Sequence, residues 1–381
     1  MQQGLSDEER LQRLLAANSP EERNKWALGW KEQGKKVIGM IDYYVPEEII
    51  WAAGMLPWRL TGTWEAATPL AEVWRLPNLD VSLTHILESF LKGEYAFLDG
   101  AIFTDWDDDV RRLYDVLDYL DKFPFVKIIH IPNNATELAC QYYRRSLFRL
   151  VTQLEDLGQV AVSEQSLHQA IETCGTTRSL LRKVYELRKR DVPPLSGSET
   201  LKLVTAALVM PKDEFNQELG ELLPYLEQRR ATLKRTRPRL LVASDRLDHP
   251  GYLELIERTG AAVAMDDMDT GSRYVFTEVE NSIDPLFDLA RSYLRRPACP
   301  RMRTYDKQVD KVIEWVKEYD IDGVLNFPHM YEFTRLYTDP HFRETVSKAG
   351  IPVTSFTRQY HLADEGALMT RIGAFVETLQ K

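Results

Sequence analysis

Acidic side chains cluster directly after one apolar run of the sequence. The run 100–104, Gly-Ala-Ile-Phe-Thr, is followed by Asp105, Asp107, Asp108 and Asp109, which are four carboxylates within five residues. Such a group is a candidate for chemistry, because ligands bind beyond the carboxyl ends of the strands in open parallel sheets. The alternative is a helix N-terminus, where acidic side chains accept hydrogen bonds from free amides and complement the helix dipole. The sequence leaves both interpretations open.

Two further segments carry side chains that could bind a metal ion or an anion. The run 323–327 is followed by His329 and Glu332, a histidine and an acid close enough in sequence to share a metal ion. A histidine that is simply packed or exposed is the alternative. Ser272 and Arg273 follow a glycine after another apolar run. Backbone amides and a guanidinium could hold a phosphate or carboxylate there, or the segment could be a turn with a surface arginine.

The elements that must position these residues follow from apolar runs and helical periods. Helical patterns predict a charged arm over about 6–33 and an almost wholly helical stretch over 135–233. The buried strands are predicted at residues 36–41, 56–60, 100–104, 126–131, 239–244, 261–267, 323–327 and 351–356. Strands that alternate with helices predict an α/β fold with parallel sheets.

The two strand-containing stretches resemble each other. Residues 45–55 parallel 249–261, since each stretch has a Pro-marked helix start and a glycine stop. Residues 98–102 parallel 321–325, with Asp-Gly before each strand and Arg-Leu-Tyr on each following helix. We therefore predict two similar doubly wound (Rossmann- or flavodoxin-like) parallel-sheet domains joined by a helical segment. The predicted division is an N-terminal helical arm (1–34), a first α/β domain (35–134), the helical segment (135–235) and a second α/β domain (236–381).

Composition excludes several classes of partner. The 48 basic and 58 acidic residues give a net charge of −10, which disfavours nucleic acid, because phosphate binding needs clustered cations. We expect no membrane association, since no apolar stretch approaches the roughly 20 residues of a membrane span. The N-terminus has no apolar signal region, and the three cysteines have no disulfide or zinc spacing. A reducing cytoplasm is the expected location.

Together these motifs resemble the 2-hydroxyacyl-CoA dehydratase and benzoyl-CoA reductase family. The resemblance covers about residues 35–378, and in length it is closest to the smaller cluster-bearing subunit of benzoyl-CoA reductase. The segments that carry it are Lys36-Val37-Ile38-Gly39, Val45–Ile50, Ala53–Pro57, Leu98-Asp99-Gly100, Arg111–Asp115, Asp266–Arg273 and Thr370–Phe375.

The resemblance implies a heterodimer with a paralogous larger subunit and an ATP-dependent activator. In this family each subunit holds a [4Fe-4S] cluster between two α/β domains, and the activator delivers a low-potential electron. An acyl-CoA thioester is then reduced to a ketyl-type radical, from which dehydratases expel the 2-hydroxyl, whereas benzoyl-CoA reductases reduce the ring. The CoA phosphates would need basic residues; Arg273, Arg358 and Arg371, with Ser272, are the candidates for binding this substrate.

This sequence departs from the family pattern at the cluster ligands. Matched by position, the family's three cysteines correspond to Asp80, Asp107 and Glu332, and the third match could shift toward Met330. A cysteine frequent before Thr-Gly-Ser-Arg is Asp269 here. Fe–S clusters need thiolates, so we expect this chain to lack a conventional cluster. Hard carboxylate ligands, with His329 nearby, would instead suit a mononuclear Mg²⁺, Mn²⁺, Ca²⁺ or iron ion.

Several functions stay open at this point. The first is a subunit of an acyl-CoA reductase or dehydratase complex whose own cluster has been lost, with the redox chemistry in its partner. The second is a repurposed enzyme with a carboxylate-bound metal that acts on an acyl-CoA or related carboxylate. The third is a metal-free small-molecule binding or regulatory protein. A cluster assembled with a partner's cysteines is the fourth.

Overall fold

Two four-stranded, all-parallel sheets flanked by helices form the molecule. The computed structural model describes residues 5–76, 78–121, 123–229 and 238–380. The architecture confirms the predicted fold class, α/β with two doubly wound parallel-sheet units. The predicted division into four segments stays a prediction, and its boundary between residues 235 and 236 lies outside the described residues.

The elements follow in chain order. The arm and first unit contain α1 (Asp7–Ala16), α2 (Pro20–Glu32), β1 (Val37–Met40), α3 (Glu47–Ala52), β2 (Leu56–Arg59), α4 (Pro69–Glu72), α5 (Val81–Leu91), β3 (Gly100–Thr104), α6 (Asp108–Leu120) and β4 (Val126–Ile129). The helical segment contains α7 (Glu137–Gly158), α8 (Glu164–Leu187), α9 (Gly197–Val209) and α10 (Lys212–Gln228). The second unit contains β5 (Arg239–Ala243), α11 (Gly251–Arg258), β6 (Ala262–Asp267), α12 (Ser272–Val275), α13 (Pro285–Arg295), α14 (Tyr305–Glu318), β7 (Gly323–Asn326), α15 (Phe333–Lys348), β8 (Val353–Ser355) and α16 (Glu365–Leu379).

The two sheets have the same topology. Their strand orders are β2-β1-β3-β4 and β6-β5-β7-β8, so each unit places its first strand in the centre and its second at one edge. The register also matches, because Ile38 pairs with Gly100 in one sheet and Leu240 pairs with Gly323 in the other. The repeated sequence pattern therefore corresponds to a repeated fold.

The repeated Asp-Gly dipeptide has one structural role in both units. The carboxylate of Asp99 accepts a hydrogen bond of 2.8 Å from the backbone N–H of Val37, the first residue of β1. Asp322 accepts the equivalent bond of 2.7 Å from Arg239, the first residue of β5. The backbone N–H groups of the two aspartates return bonds of 2.9 and 2.8 Å to the same two residues. Each aspartate thus fixes the start of a central strand against its neighbour.

The helix after each first strand begins and ends alike. Pro46 and Pro250 are the N-cap residues of α3 and α11. Gly54 and Gly260 follow the two helices with φ angles of 70° and 89°. A side chain in this left-handed region costs roughly 1 kcal/mol, so glycine is the favoured residue at both stops.

The predicted N-terminal arm consists of two helices. The helix α1 begins with a capping box between Ser6 and Glu9. The break before α2 carries a start signal, since Ser19 is the N-cap and Pro20 the first helical residue. Such a pair is typical of a helix N-terminus.

A buried helix joins the two sheets. Eleven of the thirteen residues of α9 are buried, and the helix packs against β2 and β6, the edge strands of the two sheets. Its start is fixed by a capping box between Ser196 and Glu199. Within the described ranges, no helix is long and apolar enough to cross a membrane.

Two glutamates at the start of α3 bind the units together. The carboxylate of Glu47 lies 2.6 Å from Lys212 Nζ and accepts a bond of 2.8 Å from the Tyr274 hydroxyl. Glu48 lies 2.8 Å from Arg178. Burial alone would raise the pKa of Glu47, but Lys212 and Arg178 lower it below its ordinary value. This cluster links the first unit to α8, α10 and the second unit through matched charges.

Candidate functional site

The loops at the carboxyl ends of the two sheets meet in one cleft. The backbone N–H of Gly62, after β2, donates to the Tyr360 hydroxyl, after β8, at 2.7 Å. His329, after β7, lies 2.7 Å from Asp80 at the start of α5. The carboxyl ends of the strands in the two units therefore face each other, and direct contacts close the cleft between them.

Asp80 is held by groups from both units. As the N-cap of α5, its Oδ1 accepts bonds from the Ser82 backbone N–H at 2.8 Å and hydroxyl at 2.6 Å, and it lies 2.7 Å from His329 Nε2. Arg246, after β5, contacts the Ser82 hydroxyl and lies 3.9 Å from Asp80 Oδ2. Burial would raise the pKa of Asp80, but His329 and Arg246 lower it far below its ordinary value. Asp80 is therefore a buried, ionised carboxylate.

Asp107 caps α6 and pairs with an arginine of the second unit. Its Oδ1 accepts a bond from the Asp109 backbone N–H, as the capping interpretation predicted. Its Oδ2 contacts Nη2 of Arg301, which lies in the loop between α13 and α14. The guanidinium lies 4.0 Å above the Trp106 ring. Burial lowers the pKa of Arg301, but Asp107 and Glu332 more than offset this, so the guanidinium stays charged.

Glu332 is buried beside a second carboxylate. It is 1% exposed. Burial and the neighbouring Asp245 raise its pKa well above the ordinary value. Arg273 and Arg335 outweigh burial at Asp245 and lower that carboxyl's pKa. Burial and the neighbouring carboxyl therefore disfavour the charged form of Glu332.

The predicted ligand positions form one chain of contacts. Asp80 contacts His329, whose Nδ1 lies 3.6 Å from Glu332 Oε2. Glu332 Oε1 lies 3.8 Å from Arg301 Nη1, and Arg301 contacts Asp107. The structure therefore brings all four residues together, with Arg301 between two of them. Basic side chains of the second unit, His329 and Arg301, therefore face carboxyl groups of the first unit, Asp80 and Asp107.

These carboxylates are not arranged as a compact metal site. Within the described ranges, three potential ligand atoms lie within 4.8 Å of one another at Glu47, Glu48 and Cys174, which are outside this cleft. That group already binds Lys212 and Arg178. In the cleft, the carboxylates meet arginine and histidine side chains instead.

Asp269 differs from Asp80 and Asp107 because no salt bridge joins it to a cation among the described residues, and nearby arginines compensate its burial only in part. It is 3% exposed, and its Oδ1 has no hydrogen-bond partner among the described residues. Burial raises the pKa of Asp269 to about 6, against partial lowering by Arg246 and Arg59. Burial therefore disfavours the charged form of Asp269.

Ser272 and Arg273 form internal contacts rather than facing an open cavity. The Ser272 backbone N–H donates to Asp266 Oδ1 at 2.7 Å. Arg273 is fully buried and binds both carboxylate oxygens of Asp267 at 2.9 Å, as well as Asp245. The predicted substrate role of this pair stays a prediction.

Arg358 and Arg371 lie together at a cavity of about 350 Å³, with Met330, Gln359 and Asp364 among its other lining residues. Arg358 is buried and donates to the backbone carbonyl of Arg246 at 2.6 Å, whereas Arg371 is exposed. The cavity adjoins the cleft, because the Met330 backbone N–H donates to the Arg358 carbonyl at 2.8 Å. Of the four predicted substrate-binding residues, Arg358 and Arg371 therefore line the same cavity.

Sequence analysis missed Asp245, Arg246 and Arg301. The first two directly follow the predicted strand 239–244, so the rule used for the other strand ends would have found them. Arg301 follows no strand, and its approach to Asp107 depends on how the two units dock. We find no sequence signal for it.

The comparisons with known proteins agree over most of the chain. A family profile described as 2-hydroxyglutaryl-CoA dehydratase, D-component, matches residues 42–379. The chain is 25% identical to a benzoyl-CoA reductase subunit of Thauera aromatica, with 92% of this chain and 93% of the relative covered. It is 24% identical to the (R)-phenyllactyl-CoA dehydratase beta subunit of Clostridium sporogenes, with 94% and 96% covered. Identity to the beta subunit of (R)-2-hydroxyglutaryl-CoA dehydratase from Acidaminococcus fermentans is also 24%, with 92% and 94% covered.

Proposed function

Because this chain belongs to the family of the 2-hydroxyglutaryl-CoA dehydratase D-component, we propose that it is one subunit of a complex acting on acyl-CoA thioesters. Its relatives are named as subunits of reductases and dehydratases of CoA thioesters. In this proposal the chain has no cluster of its own. Low-potential electron transfer, supplied by an ATP-dependent activator, takes place on a paralogous larger subunit.

One observation carries the cluster-free assignment. The three positions matched to cluster cysteines are Asp80, Asp107 and Glu332, and they contact His329 and Arg301. A [4Fe-4S] cluster takes thiolate ligands, whereas these positions offer carboxyl oxygens beside an imidazole and a guanidinium. The donor set therefore does not fit a cluster. The same contacts favour a cluster-free subunit over a carboxylate-bound metal, because His329 and Arg301 already bind the carboxyl oxygens of Asp80 and Asp107.

The three thiols of the chain lie away from these positions in the sequence. Cys140 is in α7, Cys174 in α8 and Cys299 in the turn before Arg301, and all three are buried and free. Burial raises the pKa of each thiol. None of the three thiols occupies a matched cluster position, which supports the same conclusion.

An exposed apolar patch supports a partner subunit. It consists of Leu70, Val73, Trp74, Leu76 and Tyr119, which are between 40% and 80% exposed. The rings of Trp74 and Tyr119 lie 6.0 Å apart, so α6 and the segment after α4 contribute to one surface. Contiguous exposed apolar side chains mark interaction sites more often than single ones do.

Iron and sulfide analysis tests the cluster-free assignment. The full chain would be produced and purified without oxygen, and a family member with cysteines at all three positions would serve as the positive control. We expect neither iron nor acid-labile sulfide in this chain. Four irons with sulfide per chain would refute the assignment. A stoichiometric divalent metal that is lost in Asp107→Ala would favour the carboxylate-metal alternative.

Partner capture tests the subunit assignment. The tagged chain would be produced together with a larger paralogue from the same genome, and the mass of the purified complex measured by light scattering. We expect a heteromer whose yield falls several-fold in the double variant Val73→Asp, Leu76→Asp. The matched control is Ile283→Asp, at a residue 94% exposed in the second unit. No complex with the unaltered chain would refute the subunit assignment.

A further inference from the structure

A large cavity lies beside the loop that carries Arg301. It has a volume of about 820 Å³, within the usual range for small-molecule sites. Its lining comes from the segment before α7, from the end of α13 and the following loop, and from one face of α14: Asn134, Ala135, Thr136, Phe276, Arg295, Arg296, Pro297, Ala298, Thr304, Lys307, Gln308, Lys311 and Trp315.

The cavity is strongly basic in an acidic protein. Arg295, Arg296, Lys307 and Lys311 line it, and no lining residue is acidic, although the chain has a net charge of −10. Within the part of the chain that the structure describes, Arg295 and Lys307 have no carboxylate within 4 Å, whereas Lys311 pairs with Glu314 at 2.8 Å. Two cations are thus available for an anionic ligand.

Two helix N-termini add to this positive potential. Thr136 is the N-cap of the 22-residue helix α7 and Thr304 that of the 14-residue helix α14. Both threonines line the cavity, and Thr304 makes no side-chain capping bond. The first N–H groups of a helix have no intrahelical acceptor, so they bind phosphate groups well.

A buried arginine connects the cavity to the interior. Arg296 is 5% exposed, and its Nη1 has no hydrogen-bond partner among the described residues. Its Nε donates to the Thr277 hydroxyl at 2.9 Å, and its guanidinium carbon lies 4.4 Å from the Tyr43 ring centre. A charged guanidinium with an unused donor is a partner for a phosphate oxygen.

One wall of the cavity is apolar. Phe276, which is half-buried, lines it together with Pro297 and Ala298. A planar ring can pack against such a wall while attached phosphates meet the cations. The combination suits a nucleotide better than inorganic phosphate.

We propose that this cavity binds the adenosine diphosphate moiety of a nucleotide-type ligand. If the moiety belongs to the CoA group of the substrate, this inference rests on the proposed function. A free adenine nucleotide is the other source of the same moiety. The bound phosphates would lie next to the loop Arg296–Arg301, whose far end contacts Asp107. Occupancy of the cavity would therefore stabilise the same loop that pairs the two units.

Calorimetric titration of the full chain with ADP and with CoA tests the proposal. The test variant is Arg295→Gln, Lys307→Gln. The control is Arg149→Gln, Lys183→Gln, which removes two exposed cations elsewhere and therefore has the same net charge as the test variant. We expect the test variant to weaken binding at least about tenfold, since it removes two cations that would form charge-assisted hydrogen bonds to the phosphates. The control should bind as the unaltered chain does.

The outcomes separate the two sources and the two proposals. If both ADP and CoA bind to the unaltered chain and both fail to bind to the test variant, the proposed cavity site is supported and CoA is a source of its ligand. If only ADP binds, and the test variant loses that binding, the site is supported with a free nucleotide as the source. CoA binding that is equal in the test variant and the unaltered chain overturns the cavity but leaves the acyl-CoA function standing. No binding of either ligand also overturns the cavity, and partner capture then decides the proposed function independently.

Discussion

Replacing Asp269 with asparagine should stabilise the protein at neutral and alkaline pH. The carboxyl is buried without a hydrogen-bond partner for Oδ1 among the described residues, and burial raises its pKa to about 6. An unfolded aspartate titrates near 3.9, and each pH unit between the two values corresponds to about 1.4 kcal/mol. The ionised carboxylate therefore costs the folded state about 3 kcal/mol above pH 6.

The sign of the pH dependence follows from proton binding. Between about pH 3.9 and 6 the folded chain binds more protons at Asp269 than the unfolded chain does, so its stability falls as pH rises through that window. Asparagine has nearly the same shape and no charge. We therefore expect Asp269→Asn to exceed the unaltered chain by about 2–3 kcal/mol at pH 8 and to match it near pH 4.

Urea unfolding followed by circular dichroism at pH 4, 6 and 8 would measure the difference. The matched control is Asp266→Asn, because Asp266 lies 2.9 Å from Arg188 and accepts a bond from the Tyr185 hydroxyl. The same substitution there leaves a buried arginine unpaired and should destabilise the protein by about 3–5 kcal/mol. Loss of stability in Asp269→Asn at pH 8 would refute the reasoning, since it would mean that Arg246 and Arg59 fully compensate this charge.

Two further predictions concern the framework of the fold. Asp99→Ala and Asp322→Ala should each lower the free energy of unfolding by about 1–3 kcal/mol. Each substitution removes the carboxylate that accepts a hydrogen bond from the first backbone N–H of a central strand. A loss of stability in only one of the two variants would contradict the equivalence of the two units. Lys212→Met should destabilise by about 3–5 kcal/mol, because buried Glu47 loses the nearer of its two cations and keeps only Arg178, at 3.4 Å. Adding Glu47→Gln should recover part of that loss in urea unfolding, and no recovery would argue against charge compensation.

Much of the fold could be predicted because strands and their turns leave local signals. The strand 100–104 has the predicted bounds, and β5 ends one residue before the predicted end at 244. Apolar runs preceded by Asp-Gly or stopped by glycine mark these elements. The split of the arm was missed, although Ser19-Pro20 carries a local helix-start signal.

The sequence predicted several of the residues that meet in the cleft, but not which side chains form ion pairs there. Asp107, His329 and Glu332 were found because they follow strands, and the ends of parallel strands converge at one edge of a sheet. Asp80 was found only through the family resemblance, as the position of a cluster cysteine. Their charge partners could not be found in this way. Arg301 approaches Asp107 across 194 residues of sequence, and only the docking of the two units creates that pair.

The Asp80–His329 pair also has a consequence for the order in which the chain is made. The partners lie 249 residues apart. At synthesis rates of roughly 5–20 residues per second, the carboxylate leaves the ribosome about 12–50 s before the imidazole does. During that interval the nascent first unit carries Asp80 and Asp107 without His329 and Arg301, their partners in the folded protein. Closure of the cleft therefore waits for synthesis of the second unit, and products truncated before residue 301 would expose these two carboxyl groups.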